Sequence, residues 1–299
     1  MTKASAQPPT SPTSPASARG GASVGIPPRQ VSVALPGDAP RYVYDDNATM
    51  TLFLAVLSGF FPPGERFFVA SVRHYRDQVT DPVLKAQVAG FIGQEAIHAR
   101  EHERLNDMLQ TQGINTRVPE LAVATALRLL EKLSPSQQLA CTTFMEHFTA
   151  LLGEQLLTDE QFRSRAEPRM LQMWLWHAME ELEHKSVAYD VYELIGNSRR
   201  QRILAFPLVA AVMLPALAFS WGYLIIQERA WRRPGDLARG AGILFGRRGL
   251  VTRILRKMPL FARRDFHPAK HDTRALEAEW QQKLFGEGGS MQHTLKTRH

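Results

Sequence analysis

The stretch HAMEELEH, His177 to His184, sets two histidines and three glutamates within eight residues. On a helix, His177, Glu181 and His184 stand at i, i+4 and i+7, so they share one stripe. Before and after them that stripe reads Met170, Trp174, Ala188 and Val191, which is apolar. A charged trio inside a core-facing seam needs partners, because a buried charge without one is costly.

The partners are sought on other helices. Between Asp46 and Gly196 the apolar residues recur with a helical period, and no alternating strand pattern intervenes. Breaks are predicted at Phe61-Pro62-Pro63-Gly64, Thr80-Asp81-Pro82, Gly113 to Pro119, Ser134-Pro135 and Glu167-Pro168, several with Pro in a first turn behind Ser or Asp. The intervening segments, 64–79, 83–112, 120–133, 135–158 and 168–195, predict an all-α, antiparallel bundle of long helices.

Four of these helices carry a carboxylate in mid-stripe. The first reads Phe61, Glu65, Phe68, Val72. The second reads Phe91, Glu95, His98, His102, Leu105. The third reads Leu139, Thr142, Glu146, Thr149, Gly153, and the last is the opening stretch. Glu95 with His98 and Glu181 with His184 are both Glu-x-x-His, while Glu65 and Glu146 stand alone. One Glu from each of two helices and one Glu-x-x-His from each of two others is the ligand set of a carboxylate-bridged dimetal site in a four-helix bundle. Four carboxylates neutralise two divalent cations. Left without them, the same groups are buried like charges whose pKa values must rise. Carboxylates and imidazoles with no thiolate suit two iron ions, or manganese. The one cysteine, Cys141, allows neither an internal disulfide nor a cysteine-based zinc site.

Around this set, His102 lies a turn beyond His98, and Thr142 and Thr149 lie on the Glu146 face. They are placed behind the ligands, although tight helix packing explains the small residues equally well. Glu154 is a rival to Glu146. His147, Glu180 and Glu183 point about 100° away from the ligand stripe, toward solvent or an outer layer.

The stretches FPPGERFF (61–68), FIGQEAIHAREHERLN (91–106), FMEHFTALLGE (144–154) and WHAMEELEHKSVAYDVYE (176–193) resemble the bacterial family of predicted metal-dependent hydrolases, ferritin-like in fold, over residues 40 to 285. That resemblance implies Glu65, Glu95, His98, Glu146, His177, Glu181 and His184 as metal ligands, and hydrolysis as the activity. The His-x-x-x-Glu-x-x-His spacing also resembles the di-iron arylamine N-oxygenases, in which the extra histidine, here His177, is a ligand.

Composition bounds the rest. Residues 1–40 are mostly Pro, Ser, Ala, Gly and Thr and are expected to be disordered, without the apolar run of a secretory signal. Residues 41–198 form the bundle, 199–285 add an apolar helix and basic helices, and 286–299 are expected to be a flexible tail. Ile203 to Ile226 holds 24 residues without a charge, long enough to cross a bilayer, with Pro207 and Pro215 as kink points. Arginine clusters around it favour an anionic membrane over nucleic acid, for which no motif is present.

The leading expectation is therefore a cytoplasmic, membrane-associated di-iron oxidoreductase. It would activate O2, with an electron donor, to oxidise a small apolar or lipid-like substrate. A dinuclear metal-dependent hydrolase is the alternative, and iron storage or a membrane-bound scaffold is a third, non-catalytic reading.

Overall fold

The computed structural model describes residues 21–295. The helices are α1 (Ala48–Arg73), α2 (Pro82–Thr111), α3 (Arg117–Leu130), α4 (Pro135–Thr158), α5 (Glu160–Arg163), α6 (Pro168–His184), α7 (Val187–Leu194), α8 (Arg199–Gln227), α9 (Pro234–Phe245), α10 (Leu250–Lys257) and α11 (Arg274–Phe285). The fold is all-α; two isolated bridges, Val31 with Leu295 and Tyr44 with Ala166, are the β-type pairings among the described residues. α1 packs on α2 and α4 on α6, and α4 and α2 both reach α7, which closes a four-helix core with α6 and α7 as its broken fourth member. Several starts follow local chemistry: the Asp81 and Ser134 side chains cap the first turns of α2 and α4, each ahead of a proline. Glu167 accepts from the Met170 amide at the head of α6.

The break expected at Phe61-Pro62-Pro63-Gly64 does not occur; α1 begins at Ala48 and runs through both prolines. Pro62 has no N–H to give the Ser58 carbonyl. That carbonyl instead accepts from Asn106 Nδ2 at 3.1 Å, and Ser58 Oγ donates to Asn106 Oδ1 at 2.7 Å. The orphan created by Pro62 is satisfied from α2, so the helix continues. The single helix expected over 168–195 is interrupted after His184, where Lys185 reaches out to the His271 carbonyl and the Thr273 hydroxyl. Helical direction resumes at Val187, and Ala188 and Val191 stay buried.

The disorder expected for residues 1–40 needs correction in its second half; residues 1–20 lie outside the described residues. Residues 26–33 run as an extended strap along α2, with Ile26, Val31 and Val33 buried. Two glycines make room for it. A Cβ at Gly90 would sit 2.4 Å from the Ile26 carbonyl, and one at Gly93 would sit 2.6 Å from Pro28. The strap is anchored by the Val33 amide donating to Glu101 at 3.1 Å and by Arg100 Nη2 donating to the Val31 carbonyl at 2.7 Å. The tail expected to be flexible is also placed up to Leu295: Met291 is buried, and the Ser32 amide donates to the Thr294 carbonyl at 3.1 Å. Residues 296–299 lie outside the described residues.

α8 lies against α3, α4 and α1 through a stripe of Arg202, Ala205, Val209, Ala216, Ser220 and Leu224. The buried Arg202 locks it to the C-terminal segment, donating to the Phe261 and Arg263 carbonyls at 2.7 and 2.8 Å.

Candidate metal centre

Glu65 comes from α1, Glu95 and His98 from α2, Glu146 from α4, and His177, Glu181 and His184 from α6. All seven are buried, the most open of them Glu181 at 4%. They converge on one another. His177 Nε2 lies 2.8 Å from Glu181 Oε1 and 3.7 Å from Glu65 Oε1. His184 Nε2 lies 3.2 Å from Glu95 Oε1 and 3.6 Å from Glu146 Oε2, and His98 Nδ1 lies 3.8 Å from Glu181 Oε1. Two ligand-sized groups, Glu65–Glu95–His98 and Glu95–Glu181–His184, overlap at Glu95, each with its ligand atoms within 4.8 Å of one another.

Buried polar atoms nearly always find a hydrogen-bond partner. Among the described residues, seventeen buried side-chain atoms do not, and nine of these belong to this cluster: both oxygens of Glu65, Glu95 and Glu146, Glu181 Oε2, His98 Nδ1 and His184 Nε2. Acceptors that crowd together with nothing to accept from fit cations. Oxygen and imidazole donors fit non-haem iron, manganese or zinc.

The outer nitrogens of the three imidazoles are all engaged. His98 Nε2 lies 2.9 Å from Glu180 Oε2, His184 Nδ1 lies 2.9 Å from Gln94 Oε1, and His177 Nδ1 lies 2.8 Å from His102 Nε2. A ring that donates outward presents its lone pair inward, which is how second-layer groups fix a ligating tautomer. Behind His177 the donors can run in one direction. His177 Nδ1 donates to His102 Nε2, His102 Nδ1 to Ser58 Oγ at 3.0 Å, and Ser58 Oγ to Asn106 Oδ1. His102 thus stands behind His177.

Electrostatics separates the carboxylates of the metal-free site. Burial, with neighbouring carboxylates adding to it, drives Glu65 and Glu146 well above the ordinary range. Burial raises Glu95 too, against the pull of His184. For Glu181 burial acts upward, but His184 and His177 outweigh it and hold it well below its usual value. For His184 burial acts downward, and Glu181 and Glu95 reverse it. Burial keeps His98 and His102 neutral, well below the usual imidazole range. Without metal the cluster is a Glu181–His184 ion pair among carboxyls held toward their protonated forms.

The outer layer joins Glu180 and Glu183, one of the two places expected for them, to Arg29 and Gln94, which sequence reasoning passed over. The side chains of Glu180 and Glu183 are buried rather than solvated. Arg29, on the N-terminal strap, donates to Glu180 Oε1 at 2.8 Å and to both oxygens of Glu183 at 2.7 Å. Gln94 Nε2 donates to Glu183 at 2.8 Å while its oxygen receives His184, so Arg29, Glu180, Glu183 and Gln94 link His98 and His184. The available signal was the pair Gly90 and Gly93 just before Gln94, which marks a chain crossing α2.

Other candidates separate from the cluster. Thr142 pairs with Ser71 Oγ at 2.7 Å and makes no hydrogen bond to a ligand among the described residues; it ties α4 to α1. Thr149 donates to its own helix at the Glu146 carbonyl, 3.1 Å away. Glu154 is no rival to Glu146: Lys257 and His271 hold it at 2.8 and 2.9 Å on the far side of α4. Gly153 is there for packing, since a Cβ would lie 2.7 Å from the Ala178 carbonyl of α6.

Compared with known families, residues 27–272 match the one described as "Predicted metal-dependent hydrolase". The chain belongs to this family. No curated protein and no solved structure matches it.

For a member of a metal-dependent family, the approach to the ligands matters. A groove of about 300 Å³ opens between α1 and α2, with Glu65 and Glu95 on its floor, Ala70, Ala96 and Ala99 as low walls, and Arg73 at its rim. On the opposite side Phe61, Gly153 and Trp174 border a narrow cleft that reaches His177 and Glu181. A further cavity, about 360 Å³, is elsewhere, lined by His147, Glu154, Lys257 and Phe266.

Proposed function

We propose that the chain is a dinuclear metal-dependent hydrolase, with Glu65, Glu95, His98, Glu146, His177, Glu181 and His184 holding the two metals. One observation carries this reading: three imidazoles anchored by outward contacts face seven unsatisfied carboxylate oxygens in one buried cluster. The family description supports hydrolysis as the reaction class. Held there, two divalent cations would lower the pKa of bound water and polarise the scissile bond of an ester or phosphate ester. The protein's own groups do the rest. The α1/α2 groove admits the substrate beside Glu65 and Glu95, and the apolar cleft lined by Phe61 and Trp174 restricts water on the other side. The aligned His177–His102–Ser58 contacts hold the proton of His177 on Nδ1.

A second reading is favoured by the donor set itself. Three imidazoles and four carboxylates without a thiolate suit iron, and with iron the site would activate O2 to oxidise its substrate. In either case an apolar or lipid-like substrate is supported by the exposed apolar length of α8, which also supports a place at a membrane.

Metal analysis of the purified full chain, followed by assays of the zinc- and iron-loaded protein with and without O2, separates these readings. Ester or phosphoester cleavage by the zinc form under anaerobic conditions is the expected result. Two bound irons that consume O2 on reduction, with an inert zinc form, would replace hydrolysis by oxidation. Fewer than two metals per chain, unchanged by Glu181→Ala, would remove both.

A further inference from the structure

From Ile203 to Ile226 the inward stripe of α8 meets the bundle, and every residue on its exposed face is apolar. Phe206, Leu214, Phe219 and Ile226 are each more than half exposed. A soluble surface interrupts such a face with polar side chains, and one this long marks a contact surface. The face is extended at both ends. Half-exposed Phe245 of α9 lies 6.0 Å from Trp221 of α8. Phe206 meets Phe144 at 5.6 Å, which in turn meets Phe261, next to the exposed Leu260.

The charge around this face is one-sided. Residues 199–264 contain fourteen Lys or Arg and two acids, a balance of +12 in a chain whose total is +7, so the rest of the molecule is net acidic. Neither acid is free. Glu228 is held by Arg41 at 2.8 Å, and Asp236 accepts from Asn47 and the Ala48 amide at 2.7 and 2.9 Å. Arg200, Arg229, Arg232, Arg247 and Arg248 are exposed.

We infer that this face docks the protein flat on an anionic lipid surface, with the outer side of α8 at the acyl boundary and the arginines among the headgroups. An apolar face edged with cations is the pattern of interfacial helices, and basic residues near an anionic surface supply the electrostatic part of such binding. The helix is long enough to span a bilayer, but its packing forbids that. α3 runs beside it and carries Arg117, Glu120 and Arg128, which a crossing would drag through hydrocarbon. A second copy of the chain would cover the apolar residues but would bring two +12 faces together. The inference does not depend on which reaction the metal centre performs.

The test is flotation of the full-length protein with vesicles of phosphatidylcholine alone and of phosphatidylcholine with phosphatidylglycerol. Binding is expected to the anionic vesicles, weaker by ~10-fold or more on the neutral ones and at high salt. L214D/F219D should abolish it and R247E/R248E should weaken it, both with unchanged far-UV circular dichroism and metal content. Alkaline carbonate should release the protein from native membranes. Three results would overturn the inference: no binding to anionic vesicles, binding that L214D/F219D leaves intact, or protein that only detergent releases. A detergent-free dimer that L214D/F219D splits into monomers would assign the face to a second copy instead.

Discussion

His98 Nε2 lies 2.9 Å from Glu180 Oε2, and the other oxygen of that carboxylate receives Arg29 at 2.8 Å. Burial keeps His98 neutral, so the proton it shares with Glu180 fixes the lone pair of Nδ1 toward Glu181. Glu180→Gln removes the charge and keeps the shape. It should weaken metal binding by ~10–100-fold, the usual effect of losing a second-layer partner. Competition with a chelator of known affinity measures this, and an unchanged affinity would show that His98 does not depend on Glu180.

Arg29 pairs with two buried acids from a segment outside the bundle. Arg29→Met leaves Glu180 and Glu183 without their cation. Breaking a buried pair from one side costs about 3–5 kcal/mol. Urea denaturation of the two proteins tests it, and a loss under ~1 kcal/mol would mean the strap is dispensable.

The metal-free site should dislike alkaline conditions. Glu65, Glu95 and Glu146 have raised pKa values in the folded state, so over the window above the ordinary carboxylate range the unfolded chain binds fewer protons than the folded one. Stability then falls as pH rises. The raised His184 acts in the same direction. His98 and His102, lowered by burial, act oppositely, but only below about pH 6.5. From there upward the melting temperature of chelator-treated protein should drop while that of metal-loaded protein holds. Metal uptake at pH 7 should release protons, which calorimetry in buffers of different ionisation enthalpy detects.

Asn106 repairs the gap that Pro62 leaves in α1. Asn106→Ala strands the Ser58 carbonyl in the core and should cost about 1–3 kcal/mol. Hydrogen exchange should rise in α1 near Ser58 more than near Val72 if the loss is local.

Gly153→Ala presses a methyl against the Ala178 carbonyl between α4 and α6, at a cost of about 1–3 kcal/mol. Because Glu146 and Glu181 sit on those two helices, the variant should also bind metal more weakly, whereas a purely global destabilisation would leave the affinity of the folded fraction unchanged.

The convergence of Glu65, Glu95, His98, Glu146, His177, Glu181 and His184 was legible because each lies on the apolar stripe of a helix, where period alone orients a side chain. Arg29 was not legible. It lies in an extended stretch with no period, and what holds it is the pair of glycines on another element. Pro62 misled for a related reason: its cost is local, while its remedy, Asn106, lies 44 residues away in sequence. α8 announced its hydrophobicity but not its posture, because a uniformly apolar sequence does not say which side meets the bundle. Arg202 and Ser220, the polar members of its inward stripe, become readable as such only once α4 and the C-terminal segment are in place.

Glu183 is held at once by Arg29 near one end of the described chain, by Gln94 on α2, and by Gln281 on α11, at 2.7 Å. Ser32 and Thr294 meet just outside it. The layer that positions the ligand histidines is therefore finished only when almost the whole polypeptide has been made. A nascent chain released as far as α7 owns every candidate ligand together with Arg29, Gln94, His102 and Glu180, but lacks the Gln281 brace on Glu183, so metal retention should tighten once α11 has docked.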